Sequence, residues 1–285
     1  MTTSDCRFGF RMIGPTWEAR RVVDAAAAFS AHAAADPRCE PDKECYLSAF
    51  WFDDLFRRHL EDNQGSTAGY SGPCWSPWLW FDLDAEELHY AHQDGGALAA
   101  FLVERYGIDP GELLIFFSGS KGFHIGLPTT LWSPAPSVGF NLTARRFAER
   151  LAELASVTID AGVYDKVRPF RAPNSRHPKT GLHKRRLTYD ELLGPLAAIL
   201  ELAKTPAPFA VLEPTGTSET AAADWQAAVA LVAQEDDHKW ARGVVRRRSA
   251  PNPRRGCYRR TRRDCRGCGH FVGWGCWCDQ GGPTP

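Results

Sequence analysis

The sequence predicts an α+β or α/β domain, on three observations. Apolar runs of strand length alternate with amphipathic runs of helical length. The 285 residues are 44% hydrophobic, enough to bury the core of one or two domains. Between residues 113 and 127 an apolar run, a glycine-punctuated turn and a second apolar run follow one another, the pattern of strand, turn and strand.

The first helix is expected over residues 16–35, an alanine-rich stretch with Thr16 as its N-cap. A second is expected over residues 46–61, with apolar residues at mixed helical spacing and a charged end. Residues 96–106 and 143–155 are short amphipathic helices. Thr188-Tyr189-Asp190-Glu191 is a capping-box pattern that opens a helix to about residue 204, kinked at Pro195. Strands are expected at residues 79–83, 113–117, 123–127 and 157–159. Pro206, Pro208 and Pro214, with nearby Gly and Ser, mark residues 205–220 as a linker, followed by a helix over 221–234. The main domain is therefore expected over 1–204, with 205–285 forming a linker, a helix and a basic, cysteine-rich tail.

A formal net charge of zero conceals an asymmetry. Eleven arginines fall between Arg242 and Arg266 with Asp264 the only acid, so the rest of the chain is acidic by about the same margin. Such separation suits a polyanion-binding tail on an acidic body. No run approaches the length of a membrane span. Residues 1–7 do not begin a secretory signal, and nine cysteines without an export signal point to a reducing, cytoplasmic setting.

Three segments carry chemistry. In Ser76-Pro77-Trp78-Leu79-Trp80-Phe81-Asp82-Leu83-Asp84, strand parity turns Leu79, Phe81 and Leu83 to one face and Trp80, Asp82 and Asp84 to the other. Neighbouring carboxylates on one face repel, and a hard cation such as Mg²⁺ or Mn²⁺ relieves the repulsion. The plainer alternative is an acidic end to a strand. The second segment, Ser118-Gly119-Ser120-Lys121-Gly122-Phe123-His124, joins two apolar runs. Gly119 and Gly122 permit a turn whose amides cradle an anion, and Ser118, Ser120, Lys121 and His124 add donors suited to a triphosphate. It lacks the Gly-Lys-Ser/Thr order of a Walker loop. An ordinary hairpin with a surface lysine is the alternative. The third segment begins at Val157-Thr158-Ile159-Asp160 and runs through Arg168-Pro169-Phe170-Arg171 to Asn174-Ser175-Arg176-His177. A third carboxylate completes a two-metal site, and the basic residues beyond it offset phosphate charge. Parity sets Arg168 and Arg171 on opposite strand faces, and Pro169 breaks that strand so that both can turn to one ligand.

Together these segments resemble the archaeo-eukaryotic primase superfamily, over roughly residues 46–186. Phe81-Asp82-Leu83-Asp84 is similar to its acidic first motif, Ser118 to His124 to its second, and Ile159-Asp160 to its third. The stretch from Asp160 to Ser175 is most similar to primase-polymerases. The resemblance implies an RRM-like sheet packed beside a second, N-terminal α/β unit. It also implies template-directed nucleotidyl transfer with Mg²⁺ or Mn²⁺ on Asp82, Asp84 and Asp160. Asp165 competes for the third position, and Asp160 is preferred because it directly follows the apolar run. Ser118, Lys121 and His124, then Arg168, Arg171, Ser175 and His177, would face the triphosphate. Implied partners are a single-stranded DNA template, ribo- or deoxynucleoside triphosphates and a helicase or other replication protein. The zinc module of archaeal primase small subunits is missing between the second and third segments. The first two motifs also resemble the polymerase domain of bacterial end-joining ligases, so priming and end extension both stay open.

In the tail, Cys265-Arg266-Gly267-Cys268 has the spacing of a zinc knuckle, with Cys257, His270, Cys276 and Cys278 as further ligands for Zn²⁺. The single-residue gap in Cys276-Trp277-Cys278 is unusual for tetrahedral zinc, and a thiol-bearing basic tail is the alternative. Tyr258, Trp274 and Trp277 among the arginines suit base stacking beside phosphate contact. Cys39, Cys45 and Cys74 are a weaker metal set and read as structural thiols. Two other functions compete. A catalytically inactive nucleic-acid-binding protein would not need all three carboxylates and His124. A metal-dependent glycosyltransferase with an Asp-x-Asp pair leaves residues 160–175 unexplained.

Overall fold

The computed structural model describes residues 2–14, 20–212 and 216–248. Two antiparallel sheets and the helices around them make an α+β fold, and both sheets lie in the first of two compact units, Met1–Lys239 and Trp240–Pro285. In chain order the elements are β1 (Phe8–Ile13), β2 (Arg21–Asp24), α1 (Ala25–Ala33), β3 (Cys45–Ser48), β4 (Trp51–Phe52), α2 (Asp54–Asp62), β5 (Cys74–Trp75) and β6 (Trp78–Asp84). There follow α3 (Leu88–Tyr106), β7 (Leu114–Phe117), β8 (Gly122–Pro128), α4 (Phe140–Leu154), β9 (Pro169–Arg171), β10 (Arg185–Leu187), α5 (Tyr189–Leu193), α6 (Leu196–Leu202) and α7 (Glu219–Arg248).

The first sheet runs β5-β4-β1-β3-β9, with β2 also pairing β1, and the second runs β10-β7-β8-β6. On one face of the second sheet, Leu79, Phe81 and Leu83 stand opposite Leu127, Ile125 and Phe123. Ile115 and Phe117 of β7 extend that face across the next strand. All eight are at most 2% exposed, and α3 covers Phe123 through His92 and Gly95. The other face carries Phe116, His124, Trp80 and Asp82, and there β9 of the first sheet meets it through Phe170, whose ring lies 5.3 Å from Trp80.

Several expectations change in the folded chain. The helix expected over 16–35 starts only at Ala25, because Arg21-Val22-Val23-Asp24 pairs with β1 and Asp24 then caps α1 by accepting from the Ala27 amide at 2.9 Å. Tyr46 and Leu47, read as the start of a helix, lie in β3 between β1 and β9. The helix there begins at Asp54, capped by Asp53. In both places the β-strand period was hidden by mixed apolar spacing, and cross-strand pairing decided the outcome. Residues 157–159 form no strand, and Asp160 donates its amide to the Asp82 carbonyl at 2.8 Å. The Thr188/Glu191 capping box is present, but Pro195 separates α5 from α6 instead of kinking one helix. The stretch read as a linker contributes Phe209, which packs edge-on against Phe29 and Phe116. Trp225 of α7 sits among Trp132, Phe140 and Phe147.

His32 ties α1 to the third segment. Its Nδ1 faces the Pro173 carbonyl at 3.1 Å, which can only accept, so Nδ1 carries the proton and Nε2 accepts from the Cys45 thiol at 3.5 Å. Burial first, then Arg11, pushes the His32 pKa down to about 4. The unfolded chain, near the ordinary 6.5, therefore takes up this proton first on acidification. Stability conferred by neutral His32 is present above about pH 6.5 and is lost as pH falls toward 4, by roughly 3 kcal/mol at most. Urea unfolding followed from pH 7 to 4 is expected to show this slope, and His32→Asn to flatten it, leaving what His124 and His183, whose pKa values burial also lowers, contribute.

Candidate active site

The pairing of β6 with β8 sets Asp82 directly opposite His124 and Asp84 opposite Gly122. His124 in turn stands opposite Phe116 of β7, so Phe116, His124 and Asp82 form one row across three strands. His124 Nε2 lies 3.3 Å from Asp82 Oδ1, and Lys121 Nζ lies 3.1 Å from Asp84 Oδ2. The Phe170 ring stacks on His124 at 4.4 Å and 29°. An open cleft of about 610 Å³ is lined by Tyr46, Asp82, Asp84, Ser118, Ser120, Lys121, His124, Arg168, Pro169, Phe170, Arg171 and His177. Every basic residue of the second segment, and Arg168 and Arg171 of the third, thus share one wall system with the acidic pair. Arg168 and Arg171 reach it together because β9 begins only at Pro169, leaving Arg168 outside the strand.

The turn between β7 and β8 is closed by Ser118. Its Oγ accepts the amides of Ser120 at 3.4 Å and Gly122 at 3.2 Å, and its own amide donates to the Gly122 carbonyl at 2.9 Å. Two amides expected to cradle an anion are therefore held by the turn itself, and Ser120, Lys121 and His124 are left to offer side chains. Gly119 has φ +90°, and a Cβ there would lie 3.1 Å from the Leu182 carbonyl oxygen and 3.3 Å from His177 Cβ. This close approach brings the loop carrying His177 against the turn. Gly122 is more constrained, since a Cβ would lie 2.4 Å from the Leu83 carbonyl oxygen.

Two predicted residues are not brought to the cleft. Ser175 is fully buried and donates to the carbonyls of Ala172 at 2.7 Å and Cys45 at 3.2 Å, so it braces the chain behind β9. Asp160 is exposed outside the lining, where its Oδ1 caps a helical turn by accepting the Gly162 amide at 2.8 Å. Its backbone alone touches Asp82. Asp165 is exposed and also lies outside the lining. Among the described residues no group of three or more His, Cys, Asp or Glu side chains is placed to hold a metal ion. The acidic pair nonetheless suits a hard cation: Asp82 Oδ1 is buried and accepts no well-aligned hydrogen bond, since His124 stands at pairing distance but off the hydrogen-bond direction. Cys6, Cys39, Cys45 and Cys74 are free, buried thiols. Cys257, Cys265, Cys268, Cys276 and Cys278 lie outside the described residues.

Lys184 is the residue the sequence reading missed. It sits in a run of basic residues, Lys184-Arg185-Arg186, a composition that ordinarily faces solvent, yet it is 1% exposed. Its Nζ lies 4.1 Å from the centre of the Phe170 ring, 4.9 Å from Phe116 and 5.3 Å from Trp80. Burial pushes its pKa well below the ordinary lysine value, against the pull of Asp82. Burial also opposes ionisation of Asp82, but His124, Lys184 and Arg168 outweigh it and hold its pKa below the ordinary carboxylate value. Burial and Lys184 lower the His124 pKa, and Asp82 only partly offsets them. Asp82 is therefore ionised and His124 largely neutral at neutral pH.

No protein-family model and no curated protein matches the chain. Among solved structures, the polymerase domain of ligase D from Mycobacterium tuberculosis, in complex with DNA, is similar over 79% of this chain and 70% of that chain, at 17% identity and a TM-score of 0.38.

Gly122→Ala is expected to destabilise the protein by about 2 kcal/mol or more, because besides Asp84 Oδ1 its Cβ would meet the Leu83 carbonyl, backbone of the paired strand that cannot rotate away. Urea denaturation measures the loss, and a midpoint equal to that of the parent protein would contradict the close β6–β8 approach.

Proposed function

We propose that this protein is a template-directed nucleotidyltransferase of the primase-polymerase kind. The observation that carries the reading is the convergence of Asp82 and Asp84 with Lys121, His124, Arg168 and Arg171 on one open cleft. An acidic pair facing a basic wall is the charge layout needed to seat a triphosphate beside a cation. Asp82 and Asp84 would hold Mg²⁺ or Mn²⁺, which when bound supplies Lewis-acid stabilisation of phosphate charge. Asp160 bonds the Asp82 carbonyl through its amide, and to serve as the third carboxylate of this reading its side chain would have to leave the Gly162 cap and turn into the cleft.

The protein's own residues then divide the work. Ionised Asp82 is fixed by its place in β6 and by the Phe170–His124 stack above it. Lys121, paired with Asp84, is 61% exposed and free to swing to a phosphate oxygen once a cation takes over that carboxylate. Arg168 and Arg171 offer guanidinium forks to the outer phosphates, and His177 closes the cleft from the loop beyond β9. Neutral His124 can donate from Nε2 without adding full charge beside the acids. The single-stranded template is assigned to the arginine-rich segment from Arg242 to Arg266.

The decisive assay offers full-length protein a single-stranded template, Mn²⁺ and labelled nucleotides, with and without a primer. Polymer is expected, and Asp82→Ala or Asp84→Ala should reduce it by at least about 10³-fold. Wild-type rates in both variants would refute the metal assignment. Product made without a primer marks priming, and product made only with one marks end extension. Removing residues 242–285 should weaken template binding and reduce the slope of log affinity against log salt. An unchanged slope would rule out the tail as template anchor.

A further inference from the structure

We propose that Lys184 is a positioning residue that fixes the triphosphate-facing wall of the cleft by tethering β9 of one sheet to the edge of the other. The inference deepens the nucleotide reading and rests on it. β9 is three residues long and among the described residues pairs only with β3, through Tyr46 opposite Arg171, Leu47 opposite Phe170 and Ser48 opposite Pro169. A strand this short is held on its β3 side by the ladder and by the flanking bonds Ala49 N–H to Arg168 carbonyl at 3.1 Å and Ala172 N–H to Cys45 carbonyl at 2.9 Å. Lys184 adds a hold from the other sheet. Its Nζ donates to the Arg171 carbonyl at 2.9 Å. Its main chain grips the same segment a second time, donating to the Ser175 carbonyl at 2.9 Å and accepting from the Asn174 amide at 2.9 Å. The next residue, Arg185, begins β10, which pairs with β7 in the second sheet.

The amine sits where it governs the wall. It lies between Phe170 of β9 and the Phe116 and Trp80 rings of the second sheet, the face that also carries His124 and Asp82. Phe170 therefore has Lys184 and the His124 ring both within 4.4 Å of its own ring centre. Releasing the tether would loosen Phe170 against His124 and free the Arg171 carbonyl. The Arg171 side chain would then be held at its guanidinium by Tyr46 Oη at 3.1 Å, Glu44 at 3.4 Å and the Arg176 carbonyl at 3.4 Å. Packing alone does not call for a lysine here. A methionine would fill the same volume among three aromatic rings without the cost of burying a polar amine. A buried amine that spends a hydrogen bond on one strand carbonyl is explained by the geometry it imposes.

The test uses the full-length chain, a fluorescent nucleoside triphosphate analogue with Mn²⁺, and the primer-extension assay above. Lys184→Met removes the amine and its bond to the Arg171 carbonyl while leaving the two main-chain bonds, whereas Lys184→Gln keeps a donor for that carbonyl. Lys184→Met is expected to stay folded, to bind the analogue at least about tenfold more weakly, and to raise nucleotide KM more than it lowers kcat. Lys184→Gln should recover most of that loss. Analogue binding by folded Lys184→Met within about threefold of the parent, with Arg171→Ala clearly weakened, overturns the tether while leaving the nucleotide reading intact. If Arg171→Ala and Asp82→Ala both bind the analogue like the parent, the nucleotide reading fails and this proposal fails with it. Should Lys184→Met not fold, Lys184→Leu, which also lacks the donor, takes its place with the same two outcomes: about tenfold weaker binding supports the tether, and binding within about threefold of the parent overturns it.

Discussion

The antiparallel register of β6 with β8 is the constraint on which the site depends. It sets Asp82 against His124 and Asp84 against the glycine that starts β8. Shifting it by one residue would turn both carboxylates into the apolar face and expose Phe81 and Leu83. That register is pinned from the core side. Leu79, Phe81 and Leu83 face Leu127, Ile125 and Phe123, and each such buried side chain is worth about 1.5–3 kcal/mol of transfer free energy. The placement of the acids is thus a by-product of packing on the opposite face of the same strands.

Electrostatics on the polar face follow from that geometry. Asp82 is carried into a mostly buried position, where a lone carboxylate would tend to take up a proton. Three bases drawn from different parts of the chain prevent this: His124 from β8, Arg168 from the approach to β9 and Lys184 from the approach to β10. The histidine and lysine are in turn pushed toward their neutral forms by burial. Each group's charge state is set by the others, so the cluster behaves as one unit in which no pair is self-sufficient.

The aromatic residues make the joint between the sheets. Trp80, Phe116 and Phe170 form the layer where β9 meets the second sheet, and Phe209, from the proline-rich stretch after α6, packs against Phe116. The proline spacing made that stretch legible as extended chain, but its burial depends on partners more than ninety residues away. The same distinction explains where the folded chain departs from its local pattern. Val22 and Tyr46 lie in segments whose local pattern tolerates a helix, and β1 recruits both into a sheet. Asp160 follows an apolar run as a strand-ending carboxylate would, yet the run finds no strand partner and the side chain caps a turn.

By itself, the sequence determined what depends on near neighbours: the alternation that puts Asp82 and Asp84 on one face, the Ser-Gly turn joining β7 to β8, the capping box at Thr188 and the concentration of arginines after residue 242. These follow from a two-residue strand period and from hydrogen bonds spanning a few residues. Only the tertiary structure decided that Ser175 braces the backbone, that Arg168 and Arg171 share a wall, and that Lys184 is buried beneath it. Those outcomes turn on which strand edges pair and how closely two sheets approach. Nothing local encodes them, because contacts between residues far apart in the chain are fixed only when the whole core packs.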